Sequence, residues 1–574
     1  MRRVIIGFLA SVGAIGLLLV LGVAIAVWRL LPPGPPEVPG RAVLTVDLRE
    51  ALAEAAPTDP LAQLGIRREL TLGGLLLALE RAGADPRVAG LVARVSGEGP
   101  GLAQVQELRD AMARFRAAGK FALAYTDSFG EFGPGTRGYY LATAFDQIHL
   151  QPLGGVGLTG MLVQTPLLGA FLANVGVEPE LDRRGPYKNV ADIFTEDRLT
   201  PEHREMLEAL VDSLFRQIVA GIAEGRNLEE SKVKRLIDHG PYLAEEAAPA
   251  GLVDTLSYED QVYEFARQRA GDGAQLLRLE DYAARVEPPE LADDAPVVAL
   301  IHGLGRIQRG DSDYGGALGG FVMGADTVAA AFSAAVDEPE VAAILFRVDS
   351  GGGSAVASET IARAVRRAVA AGKPVVVSMG DAAASGGYWI AMGSTAIVAQ
   401  PGTLTGSIGV VAGKIVVREL SDRLDVHWGM VQRGDNAGMW SFLEGYDEAG
   451  RARLQAFLDQ TYEAFISRVA RGRDMPKEKV RAVAEGRVWT GAQAHEIGLV
   501  DELGGLMRAL ELAKQAAGIA PDAPVELRVF PAPRAPWQEL LELLGGSPGL
   551  IEFVRPWLQL LHPGMLSAPP LVIR

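Results

Sequence analysis

Residues 374–391 read Pro-Val-Val-Val-Ser-Met-Gly-Asp-Ala-Ala-Ala-Ser-Gly-Gly-Tyr-Trp-Ile-Ala. The valine-rich run at the start predicts a strand buried on both faces, and the small residues after it predict a sharp strand-to-helix turn. Ser385 sits at that turn. Its neighbours leave the hydroxyl reachable and the following backbone N–H groups unobstructed, the setting a nucleophile needs. An ordinary turn has the same appearance, so Ser385 acquires chemical meaning only beside a base and an oxyanion site.

Outward from this segment, the chain repeats itself. Gly387-Tyr388-Trp389-Ile390-Ala391 matches Gly138-Tyr139-Tyr140-Leu141-Ala142 at an offset of 249 residues. Arg347-Val348 and Ala370-Ala371-Gly372-Lys373 match Arg94-Val95 and Ala117-Ala118-Gly119-Lys120 at 253. Leu404-Thr405-Gly406 matches Leu158-Thr159-Gly160 at 246, and Gly498-Leu499-Val500-Asp501 matches Gly251-Leu252-Val253-Asp254 at 247. Matches in one order at nearly one offset mean two copies of one domain. Within each, short β-rich runs such as 343–348 alternate with amphipathic stretches such as 358–371, an α/β pattern with a largely buried sheet. The expected division is 46–290 for the first domain, 295–520 for the second and 521–574 for a C-terminal tail.

The copies disagree at two informative places. Ser385 falls opposite Thr136, in a first-copy loop without the Ala-Ala-Ser-Gly-Gly form, and Lys188 of Gly185-Pro186-Tyr187-Lys188 falls opposite Ala437. Each copy thus holds one member of a Ser/Lys pair and lacks the other, so a complete site requires Ser385 and Lys188 to meet across the two halves. Lysine is scarce here, with nine among 55 basic residues, which gives Lys188 more weight than it would have in a Lys-rich chain. As a general base it must be neutral, which requires its pKa to fall by roughly three units, or about 4 kcal/mol. Burial between the halves supplies such a shift, so hydroxyls rather than carboxylates are expected around it. Asp349-Ser350-Gly351-Gly352-Gly353-Ser354 is the candidate oxyanion loop, with the N–H groups of Gly352 and Gly386 as donors. It lacks the spacing of a nucleotide-phosphate loop.

Composition narrows the alternatives. The 574 residues exceed a usual single domain, and a net charge of -16 argues against nucleic acid as a main partner. The chain has no cysteine, which excludes disulfides, thiolate catalysis and Cys-ligated metals, and its 7 His residues show no metal-ligand spacing. No cofactor is expected. Residues 4–28 are uncharged and apolar, about 37 Å as a helix against a hydrocarbon core of about 30 Å, and read as a membrane anchor within 1–30 rather than a cleaved signal. Arg2 and Arg3 before the span place the N-terminus in the cytoplasm and the bulk of the chain outside it. The Pro-rich stretch within 31–45 is a stiff linker.

On the segments Arg-Val-Asp-Ser-Gly-Gly-Gly at 347–353, Ala-Ala-Ser-Gly-Gly-Tyr-Trp at 383–389, Leu-Thr-Gly-Ser-Ile-Gly-Val at 404–410 and Val488-Trp489-Thr490-Gly491, the chain resembles the long, tandem-domain form of the signal peptide peptidase A family. That resemblance implies two ClpP/crotonase-like domains, Ser385 as nucleophile and Lys188 as general base. It also implies a bacterial inner-membrane protein with its catalytic domains outside the cytoplasm, a homotetramer with an interior cavity, and signal peptides or other extended apolar chains as substrates. The family loop carries proline where this chain has Gly351, which leaves the loop less rigid. Residues 406–411 are a candidate edge for strand-like substrate pairing. Three other readings remain: a crotonase-type acyl-CoA enzyme, a non-catalytic membrane scaffold, and a quality-control protease of the same mechanism.

Overall fold

The structure is a computed structural model that describes residues 37–55, 70–286, 295–314, 321–532 and 571–573. The 4–28 span, most of the Pro-rich linker and the apolar tail stretches at 537–544 and 550–561 lie outside the described residues. Among the described residues no helix is long and apolar enough to cross a membrane.

Each half is built on six parallel strands in the same spatial order. In the first the order is Thr255–Leu256, Gln147–Leu150, Phe121–Thr126, Val88–Arg94, Ala42–Asp47, Gln275–Arg278. In the second it is Glu502–Leu503, Ala396–Ala399, Val375–Ala384, Val341–Ser350, Val297–Leu304, Val525–Phe530. Crossover helices cover the faces, as parallel pairing requires. The expected boundaries need correction at two strands. Ala42–Asp47 begins inside the stretch read as linker, and Val525–Phe530 lies in the stretch read as tail yet pairs along Val297–Leu304. The latter alternates apolar and polar residues, Val-Glu-Leu-Arg-Val-Phe, and completes the second sheet as Gln275–Arg278 completes the first.

Strand alternation decides how the halves join. Along Val341–Ser350, Ile344 and Phe346 face the second half's own helices, whereas Ala343 and Leu345 pack into a core shared with the first half. Arg347 continues that second row and is 1% exposed. Its guanidinium meets two first-half carboxylates, Glu54 Oε1 at 2.8 Å and Glu107 Oε1 at 2.7 Å. Two helices are capped across the same junction. Asp381 Oδ1 accepts the Ala103 N–H at 2.7 Å at the start of Leu102–Ala117, and Glu107 Oε2 accepts the Leu506 N–H at 2.7 Å at the start of Leu506–Ala516. Both N-caps are glycine, with no side chain to do this locally. Finally, Glu178–Arg184 of the first half pairs antiparallel with Val410–Val416 of the second, forming a two-stranded ribbon.

Candidate active site

The strand Val375–Ala384 ends directly at Ser385, and the helix Gly386–Ala391 begins directly after it. Ser385 takes φ 56° and ψ −115°, a conformation a non-glycine residue adopts only under constraint. The constraint is visible: its N–H donates to Gly406 O at 2.8 Å, and its carbonyl accepts the Trp389 N–H at 2.9 Å. The turn therefore holds the hydroxyl out from the end of the sheet.

Lys188 arrives from the other half. It follows the ribbon strand Glu178–Arg184 through Gly185, whose φ is 94° and whose position leaves no room for a Cβ, which would lie 2.1 Å from Glu485 C. The Tyr187 N–H donates to Glu485 O at 3.0 Å, fixing the turn to the second half. The next residue locks it from behind: Asn189 Nδ2 donates to Asp192 Oδ2 at 2.7 Å, and the buried Asp192 also pairs with Arg183.

The two residues meet. Lys188 Nζ lies 3.0 Å from Ser385 Oγ, 2.8 Å from Ser407 O and 2.9 Å from Ser407 Oγ. Burial alone pulls the lysine pKa down from 10.5 to about 8, and none of the three partner atoms is a carboxylate oxygen. In the neutral amine the two N–H bonds satisfy Ser407, leaving the lone pair to accept the Ser385 proton. Ser407, itself at φ 49°, was not singled out in the sequence as a partner of the lysine. The signal was a length difference: the chain from Gly406 to the helix Arg418–Arg423 is three residues longer than the chain from Gly160 to its counterpart Gly169–Asn174.

The oxyanion loop departs from expectation in one respect. The Gly352 N–H donates to Ser350 Oγ at 3.1 Å, while the Ser350 hydroxyl donates to Gly305 O at 2.6 Å. Gly352 instead serves close approach, since at φ 103° a Cβ there would lie 2.9 Å from Ser385 Cβ. Another N–H lies beside the turn, one residue on. Ile307 accepts from Ser354 N–H and donates to Gly352 O, so the Gly353 N–H turns away from Ile307, and its nitrogen sits 3.1 Å from where a Gly386 Cβ would be. Gly386 opens a helix, so its N–H has no intrahelical acceptor. The pairing edge expected over 406–411 is also altered. Leu404–Gly406 is flanked by Val375–Ala384 and Val488–Thr490, and Val410 and Val411 pair with Arg184 and Arg183.

A cavity of about 1100 Å³ opens over the pair and is walled by both halves, with Tyr187 and Asn189 on one side and Gly352 and Val411 on the other. Its lining includes Asp349, whose carboxyl pKa is pushed up to about 6 by burial. The cavity thus brings the Ser385 hydroxyl and the Lys188 amine together beside backbone N–H groups, the kinds of group that acyl transfer requires.

A serine hydrolase on two fused α/β units is the class this geometry defines, and the comparisons agree. The description "Peptidase family S49" matches residues 115–272 and 367–520. The chain is 30% identical over 511 residues to the serine protease SPPA, chloroplastic, of Arabidopsis thaliana, covering 88% of this chain and 73% of that protein. It is 29% identical over 489 residues to Protease 4 of Haemophilus influenzae, covering 82% and 77%. A putative signal peptide peptidase SppA of Enterococcus faecium is 34% identical over 179 residues, 31% of this chain and 52% of that one. The chain belongs to peptidase family S49 and is a serine protease.

Proposed function

We propose that this protein is an endopeptidase in which Ser385 is the nucleophile and Lys188 the general base, acting on signal peptides and other extended apolar chains. The observation that carries the roles is the 3.0 Å contact between Lys188 Nζ and Ser385 Oγ, from residues 197 positions apart in different halves. Neutral Lys188 takes the Ser385 proton as Oγ attacks the scissile carbonyl. The Gly353 and Gly386 N–H groups receive the developing oxyanion, and Lys188 returns the proton to the leaving amine. Water, deprotonated by the same lysine, then hydrolyses the acyl-enzyme.

The substrate class follows the name of the Enterococcus faecium relative, a putative signal peptide peptidase, and the apolar 4–28 segment, which reads as an anchor that holds the catalytic halves outside the cytoplasm of a bacterial inner membrane. The resemblance to the tandem-domain form of the family adds a homotetramer enclosing its sites to this reading. A quality-control protease differs from this reading in substrate alone. The test is hydrolysis of a fluorogenic apolar peptide amide by the full chain in detergent, beside Ser385→Ala and Lys188→Ala. Cleavage abolished by both substitutions, with folding intact, is the expected result. Equal cleavage in all three chains overturns the assignment.

A further inference from the structure

The cleft over Ser385 continues past the catalytic pair to the seam between the halves, where carboxylates enter its lining. Glu54, Asp349 and Asp381 all line it, with Gln104 beside them. The alternation along Val341–Ser350 that turns Arg347 toward the first half turns Asp349 the same way. Asp349 stands three residues before Gly352, and Asp381 four before Ser385, or about 10 Å of extended chain. That is within reach of a long side chain on a substrate residue held at Ser385. Glycines make room for both carboxylates: a Cβ at Gly101 would lie 1.7 Å from Asp381 Oδ2, and one at Gly380 would lie 3.0 Å from Asp349 Cβ. The copy without the nucleophile has Ser96 at the place of Asp349, so this carboxylate occurs only beside Ser385.

Acceptors here outnumber donors. Asp349 Oδ1 takes the Ala382 N–H at 2.9 Å, and among the described residues nothing donates to its Oδ2. Gln104 is 4% exposed, and its Nε2 donates to Leu52 O at 3.0 Å and to Glu54 Oε1 at 2.9 Å. Those two acceptors fix which way the amide points, and its buried Oε1 is left with no donor among the described residues. Glu54 itself is held by Arg347. A ligand that satisfies this end of the cleft must bring N–H donors and positive charge. Among the described residues no group of three His, Cys, Asp or Glu side chains converges closely enough to hold a metal ion, so the fitting occupant is an organic cation. We propose that this end of the cleft is a substrate subsite for the ammonium group of a lysine close to the scissile bond, with Asp349 and Asp381 as its charged partners and Gln104 Oε1 as its neutral acceptor. The subsite deepens the proposed function and rests on the substrate entering this cleft at Ser385. Signal peptides carry a positively charged segment directly before their apolar stretch, so a lysine subsite beside the nucleophile places the cut near the junction of the two.

The subsite carries its own titration. Burial pushes Asp349 up to about 6 and raises Asp381 as well. The other charged groups around them keep their charge state near that pH: Arg347 holds Glu54 below the usual carboxylate range and also pairs with Glu107, His302 on the neighbouring strand is held neutral by burial at about 4, and Arg306 of the cleft lining stays cationic. Lys188, at the other end of the cleft, changes charge near 8. Preference for lysine is therefore present above pH 6 and is lost as pH falls through it.

The test uses the full chain in detergent and N-acetylated, quenched-fluorescent peptides of one apolar sequence, with lysine or uncharged norleucine placed in turn at each position flanking the scissile bond. At one position the lysine peptide is expected to show about tenfold higher kcat/KM than the norleucine peptide. Asp349→Asn keeps the acceptor for the Ala382 N–H, and Asp381→Asn keeps that for the Ala103 N–H, and each brings the ratio close to one. Both peptides meet the same enzyme, so the ratio depends neither on how much of a variant folds nor on the protonation of Lys188. A ratio near one at every position, or a preference that survives both substitutions, overturns the subsite. Binding to the Ser385→Ala chain by fluorescence anisotropy separates the subsite from the chemistry. Tighter binding of the lysine peptide, lost when Asp349→Asn is added and shrinking as pH falls from 7.5 to 5, supports the subsite even if hydrolysis fails. Equal binding of the two peptides with hydrolysis intact overturns the subsite and leaves Ser385 and Lys188 in their roles.

Discussion

The two halves share a sheet order strand for strand, yet one ends its central strand on Ser385 at φ 56° and the other opens the matching helix with Thr136, whose Oγ1 only accepts the Gly160 N–H at 3.1 Å. The difference extends to charge. Arg347 is fully enclosed between two carboxylates of the opposite half, whereas its counterpart Arg94 is 24% exposed and pairs with Asp127 and Glu259 of its own half. The two halves share one fold and divide the pair: the first carries Lys188 and the second carries Ser385. The face of the second sheet that carries Arg347 became the seam.

The sharpest way to break this comparison is at the nucleophile. Ser385→Ala lowers kcat/KM by about 10⁴-fold or more, Lys188→Ala does nearly the same, and the double variant is no worse than either, because the pair acts as a unit. Thr136→Ser leaves kcat/KM within about twofold, since no lysine stands opposite it. Activity gained there contradicts the division of labour.

Next in size is the seam. Arg347→Met leaves Glu54 and Glu107 buried without their cation and lowers unfolding stability by about 3–5 kcal/mol in denaturant titration. Arg94→Met, on the more open side, costs about 1 kcal/mol or less. Equal losses at the two positions would mean the seam does not depend on this triad.

The lysine itself strains the fold. Its depressed pKa, about 8 against 10.5, means the unfolded chain binds more protons between those values. The penalty of about 3 kcal/mol is therefore complete below pH 8 and disappears as pH rises toward 10.5. Lys188→Met accordingly abolishes activity yet stabilises the protein near pH 7, and that gain shrinks above pH 8. For the unaltered enzyme, kcat/KM rises with pH through a midpoint near 8, where the amine becomes neutral. A flat profile would exclude Lys188 as the base. A smaller loss of activity than at Ser385 or Lys188 follows from Ser407→Ala, which removes one of three partners of Lys188 Nζ and lowers kcat by about tenfold with KM unchanged.

Much of this was legible in the residues. The repeat gave the two α/β units, and the differences between the copies pointed to Ser385 and Lys188, which the fold brings within 3.0 Å. The shortfalls have physical causes. Val525–Phe530 was read as tail because the quoted repeat matches end at Asp501, although its alternation is that of a strand. Ser407 was taken for part of a pairing edge because its role depends on a three-residue turn that only the fold brings under Lys188. Gly352 was assigned as a donor because a glycine loop shows where N–H groups can approach, while its bond to Ser350 Oγ and the bridge of Gly353 to Ile307 are set only by the fold.

The sequence by itself determined the two-copy α/β plan, the strand-to-helix serine and the scarcity of alternatives to Lys188, since periodicity and repetition are properties of the chain alone. The tertiary structure decided what lies between residues 197 positions apart. It set the 3.0 Å contact, the burial that brings the lysine to about 8 and the hydroxyl that receives its protons. A pKa is set by solvent exclusion and by neighbours in space, and both arise only when the two halves close on each other.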